Sequence, residues 1–200
     1  MNSALHRILG LIASMAVAGT IVLGATGTAV ARSTAPCSTS GVTAEDNAVS
    51  AQLRSRANWM TPYRVSCARA VARQVKARGL DLRAAHIAFT TVTTETHFDN
   101  ISVAEDHDSL GLFQQRPSMG WGSPSDLINP VYATNKFLDV MLANYPNGAW
   151  RSGDIANICQ KVQKSGFPDG SNYRANIDIA GYIANVVWNS AQASSHGAAP

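Results

Sequence analysis

The chain has 200 residues, of which 46% are hydrophobic and 14% charged, with a formal net charge of +3. That length supports one domain with a real core and does not comfortably hold two. A positive balance this mild argues against a nucleic-acid partner, which calls for a concentrated basic face.

The chain opens with Arg7 and the free amino end as a small positive region. The apolar run Ile8 to Gly24 follows, and then the small-x-small site Ala29-Val30-Ala31. This pattern predicts a secretory signal over 1–31, removed after Ala31. An uncleaved anchor is the competing reading, and the A-x-A site disfavours it. Without Arg7 the 16 basic residues become 15 against 13 acidic ones, a charge near +2. That suits a secreted protein and allows a slight attraction to an anionic cell wall. No later apolar run approaches the roughly 20 residues of a membrane helix. The expectation is a monomer, secreted or wall-associated, with no membrane contact after cleavage.

Cys37, Cys67 and Cys159 would all meet an oxidising compartment. Cys67 and Cys159 fall on apolar faces of predicted helices, so they are expected to pair and leave Cys37 free or intermolecular. A Cys37–Cys67 bridge and three buried thiols stay open as alternatives. No CxxC or paired-histidine spacing accompanies them, so no metal site is expected. Neither His86 and His97, nor Glu95-Thr96-His97, has zinc-ligand spacing, and no cofactor is called for.

Residues 32–42 are rich in Ser, Thr, Pro and Gly and read as a linker. Thr43 and Asp46 resemble a capping arrangement, opening a helix that ends near Trp59 and Met60, before Pro62. A second helix is predicted from about Ser66, with Gly79 placed for a left-handed cap. Asp81 caps a third, from Leu82 to about His97. Residues 98–122 lose the helical period and read as loops with a short irregular hairpin. Ser123-Pro124-Ser125-Asp126 and Asn129-Pro130 each pair a cap with a first-position proline. The second of these opens the stripe Thr134, Phe137, Leu138, Met141. Asp154 caps a helix bearing Ile155, Ile158, Cys159 and Val162. A last helix runs from about Tyr173 to Trp188, followed by a tail, 189–200, expected to be disordered. The fold class is mainly α, with the domain over 43–188.

On the third helix Ala85, Ala88, Val92 and Glu95 fall at spacings of three, four and three, which keeps them on one side. Glu95 thus continues the core-facing stripe at the point where the helix ends. A carboxylate there is partly desolvated, which raises its pKa and suits it to general-acid chemistry. A capping or salt-bridged carboxylate is the alternative.

Glu95 followed by a hydroxyl residue, then Ser109-Leu110-Gly111-Leu112-Phe113-Gln114, resembles the lysozyme-like superfamily of lytic transglycosylases and goose-type lysozymes. The longer segment from Asp106 to Ser118, with Gly120-Trp121-Gly122, is similar to a group of secreted actinobacterial proteins within it. Asn129-Pro130, Val162-Gln163-Lys164-Ser165-Gly166 and Tyr173 agree in position, and the resemblance runs from about Cys67 to Trp188. Two departures stand out. Thr96 replaces the usual Ser, and the 162–166 segment lacks the Tyr-Asn pair that often contacts the sugar.

The resemblance implies cleavage of the β-1,4 bond between N-acetylmuramic acid and N-acetylglucosamine in peptidoglycan, with Glu95 as general acid/base. Ser109, Gly111, Phe113, Gln114, Gln115, Trp121 and Tyr173 would line the glycan site. Ser109 lacks the setting of a nucleophile. Gln114 and Gln115 offer amides to sugar hydroxyls, or bond loop backbone. Phe113 is expected buried and Trp121 nearer the cleft. Tyr173 either bonds Glu95 or anchors the last helix. A hydrolase also wants an acid to position water, for which Asp106 and Asp108 are candidates; a solvated polar loop is their other reading. A catalytically inactive glycan-binding or scaffold protein with the same cleft is the alternative function.

Overall fold

The computed structural model describes residues 32–196, so the expected leader lies outside the described residues. These residues are mainly helical: α1 Ala44–Leu53, α2 Pro62–Ala77, α3 Leu82–Thr96, α4 Pro124–Leu127, α5 Pro130–Asn144, α6 Ile155–Gln163, α7 Ser171–Arg174 and α8 Ile177–His196. Short 3-10 turns occupy Pro117–Met119 and Pro146–Arg151. Among the described residues β pairing is limited to isolated antiparallel bridges.

Helix starts follow the capping chemistry written in the chain. Thr43 and Asp46 form a reciprocal capping box, as do Ser123 and Asp126. Asp81, Asn129 and Asp154 each accept backbone N–H bonds from the first turn that follows them. One boundary differs from expectation. The first helix stops at Leu53, and Pro62 opens the second with Thr61 as its cap. Proline at a first helical position has no orphan N–H to satisfy, so the residue expected to close one helix starts the next.

Helix α3 is the central element, packed against α8, α6 and α2. Its buried face carries Ala85, Ala88, Phe89 and Val92 into a core shared with Phe113, Phe137, Tyr173 and Ile183. The buried Arg69 on α2 bonds Asp46 and fastens α1 beneath it.

Three further expectations are corrected. The disulfide joins Cys37 to Cys67, with Cα atoms 4.9 Å apart, while Cys159 is a free, buried thiol. Cys159 faces α3, where its Sγ donates to the carbonyl of Ile87 at 3.5 Å, so its apolar surroundings mark a core thiol rather than half a bridge. Residues 32–42 are not a free linker. Besides the disulfide, Thr34 bridges Ile101 and the Ala35 carbonyl accepts from Tyr63 at 2.8 Å. At the other end α8 continues to His196, into the stretch expected to be disordered, and Tyr173 belongs to the separate single turn α7. Alanines at 191 and 193 favour helix despite the polar residues around them.

Candidate active site

Helix α3 ends because His97 and Phe98 both take left-handed backbone conformations, with φ of 53° and 65°. For non-glycine residues each such turn costs about 1–2 kcal/mol. The burial of the Phe98 ring against Phe89 offsets part of that cost. The chain then doubles back, and the segment 109–115 lies beside the last turn of α3. Thr96 donates to the carbonyl of Leu112 at 3.0 Å, tying the helix end to this segment. Leu110 and Gln115 pair across a tight turn in which Gly111 has φ +72°. A Cβ on Gly111 would lie 2.0 Å from the Leu127 carbonyl oxygen, so this position needs glycine for space as well as for conformation.

Glu95 sits in the last turn of α3, half-buried. Tyr173 donates to its Oε1 at 2.7 Å. Burial pushes the Glu95 carboxyl up, while the bonds from Tyr173 and Gln163 pull the other way without overcoming it. Gln163, the last residue of α6, also donates to the Phe113 carbonyl at 2.6 Å, while its Oε1 is buried without a hydrogen-bond partner among the described residues. Asn176 donates to the hydroxyl of Thr94 at 3.0 Å. The carboxylate is therefore held from two sides by elements α6 and α7, across the sequence from α3.

Glu95 opens on a cleft of about 580 Å³, with walls from Thr94, Ser109, Gln114 and Arg116 on one side and residues 163–167 with Asn172 on the other. Phe167 stands on the rim, 55% exposed. A second hollow of about 390 Å³ shares Gln114, Arg116, Gln163 and Lys164 with the first, and extends it past Gln115 and Trp121. A similar volume, about 590 Å³, lies beside the disulfide and has Arg73 as its one charged wall residue. It offers no acid or base.

The other residues named from sequence divide clearly. Ser109 and Gln114 line the cleft, and Gln115 and Trp121 line its extension. Phe113 is fully buried, stacked on Phe137 with ring centroids 5.0 Å apart, and meets the site only through its carbonyl. Gly111 shapes the turn. Tyr173 is buried and touches the site through its hydroxyl.

Asp106 borders the cleft but is strongly exposed and bonds His107 at 2.7 Å. Asp108 is clamped by Arg116 at 2.6 Å and by the amide and hydroxyl of Ser118, which hold its carboxyl far below the usual range. A carboxyl so held keeps no proton to give near neutrality. Asp99 is engaged by the Arg64 guanidinium through two bonds, at 2.7 and 2.8 Å.

Gln163, Lys164 and Asn172 belong to the site; the first two stand in the 162–166 segment that carries part of the resemblance, but none of the three was named as a site residue from sequence. Gln163 follows the apolar stripe of α6 by one position, and an amide there reads as an ordinary helix end. Its role emerges only once α6 is docked on α3.

Comparison with protein-family models and with curated proteins finds no match.

Proposed function

We propose that this chain is a secreted glycan-cleaving enzyme with a lysozyme-like domain, acting on the β-1,4 bond between N-acetylmuramic acid and N-acetylglucosamine. One observation carries the reading. Glu95 is a carboxyl group raised by burial at an apolar helix end, anchored by Tyr173 and opening on a polar cleft. A general acid must hold its proton above the ordinary carboxyl range and still reach its substrate; burial moves Glu95 in the first direction and the open cleft serves the second.

In the proposed reaction the Glu95 carboxyl donates its proton to the glycosidic oxygen as the bond from C1 to that oxygen breaks. The resulting carboxylate accepts the proton of the muramyl 6-hydroxyl, whose oxygen bonds C1. Glu95 is thereby reprotonated and the product ends in a 1,6-anhydro ring. Hydrolysis differs in that water supplies the nucleophile. The engagement of Asp108 with Arg116 and the exposure of Asp106 favour the first course, which needs one carboxyl group.

The test compares the protein with Glu95→Gln on purified peptidoglycan, resolving products by mass spectrometry. Loss of product in the variant supports the assignment, with anhydro ends marking a transglycosylase and reducing ends a hydrolase. Equal, background-level product from both proteins would refute catalysis and leave a glycan-binding protein as the reading.

A further inference from the structure

The extension of the cleft carries charge that a neutral polysaccharide does not need. Its walls include three cations, Arg116, Lys136 and Lys164, and no carboxylate. Arg116 is partly neutralised by Asp108. Lys136 has the Tyr132 ring at 5.8 Å and is close enough to Asp126 to lower that carboxyl's pKa, but forms no ion pair among the described residues. Lys164 has no ion-pair partner among the described residues. Its position is nevertheless defined. It is the left-handed cap of α6, with φ 54° and its N–H bonded to the Gln160 carbonyl at 2.8 Å, beside the Gln163 that adjoins Glu95. Trp121, half-buried, lies in the same hollow.

Ammonium groups with no ion-pair partner among the described residues, lining one hollow with an aromatic side chain, form an environment for an acid carried on a sugar. The ring face suits a pyranose, and the cations suit the anion. We infer that this arm of the cleft is a carboxylate-binding subsite, in which Lys164 and Lys136 select glycans bearing acids over neutral ones. The inference rests on reading the cleft as a glycan groove. On an amino-sugar polymer two sources supply such a carboxylate: a lactyl ether on the ring, and the carboxyl groups of an attached peptide.

Binding is measured by calorimetry in the Glu95→Gln background, so that no ligand is consumed. The probes are a neutral N-acetylglucosamine hexamer, glycan strands stripped of peptide, the same strands with the lactyl carboxyl amidated, and strands keeping their peptides. Two exposed ion pairs predict about a tenfold preference for carboxylated over neutral ligand at low ionic strength, fading as salt rises. Lys136→Gln/Lys164→Gln is expected to remove that preference, bringing the affinity for carboxylated strands down to that for the hexamer measured with the same variant. A preference that survives amidation but needs the peptide supports the subsite and assigns the acid to the peptide. Equal affinity for hexamer and carboxylated strands, or a preference unaltered by the double substitution, overturns the inference and spares the glycan reading. Failure of every glycan to bind overturns both.

Discussion

Removing the Tyr173 hydroxyl tests whether Glu95 is a held acid or a buried side chain with an incidental neighbour. Tyr173→Phe deletes the 2.7 Å bond to Oε1 together with the hydroxyl's interaction with Ser165, while the ring is fully buried and phenylalanine refills all but one oxygen of its space. A hydrogen bond to a charged acceptor contributes about 1.5–3 kcal/mol, and one to a neutral acceptor about 0.5–1.5. The substitution therefore costs more where Glu95 is ionised than where it is protonated, by about 1 kcal/mol. For a domain of this size each 1 kcal/mol moves Tm by about 2–4 °C. The hydroxyl now lowers the Glu95 pKa against the upward push of burial. Its loss leaves burial opposed by Gln163 alone, so the titration of Glu95 moves up. A general acid acts while protonated, and the alkaline limb of the rate profile moves up with it. Carbon-13 NMR of the glutamate carboxyls follows the titration, and thermal melts at roughly pH 3 and pH 8 bracket the ordinary range of a Glu side chain. An equal Tm loss at both pH values, or a Glu95 signal that stays put or moves down, would refute the argument.

Glu95→Gln should raise Tm at neutral pH. Because the folded pKa exceeds the unfolded one, the wild type loses stability as pH rises through the Glu95 titration, and the advantage of the amide should vanish in melts below about pH 4. The same variant is expected to lose about 10²–10⁴ in rate, whereas Asp106→Asn should keep at least about half of it, as measured by product release from peptidoglycan. Cys37→Ser/Cys67→Ser opens a loop closed over a sequence separation of 30. Chain entropy sets the loss at about 4 kcal/mol, a Tm drop of about 8–16 °C; recovery of a Cys67–Cys159 peptide in non-reducing digests would contradict the pairing. Gly111→Ala forces a Cβ onto the Leu127 carbonyl and should cost about 2–4 kcal/mol by denaturant titration; unchanged stability with weaker glycan binding would return Gly111 to the substrate contacts.

What was legible in the chain was local, and what was not depended on docking. The caps at Thr43, Asp81, Asn129 and Asp154 could be read because an N-cap is decided within four residues. The three-four-three spacing that ended on Glu95 could be read for the same reason: one helix determines which residues share its face. The disulfide could not. Cys67 and Cys159 look alike in periodicity, and only the fold decides that Cys67 meets the N-terminal segment while Cys159 meets α3. The same limit explains Gln163. On its own helix it is a polar terminal residue, and it becomes part of the site because α6 packs on α3 and the 109–115 turn presents a carbonyl to its amide. The three cations of the cleft extension lie at 116, 136 and 164, on a loop, on α5 and just past α6. Charge spread so widely in sequence has no pattern to detect, and it gains meaning as one surface only after three elements converge on the hollow that adjoins the Glu95 cleft. The acid at the helix end proposes the chemistry, and the residues gathered around it from elsewhere in the chain propose the substrate.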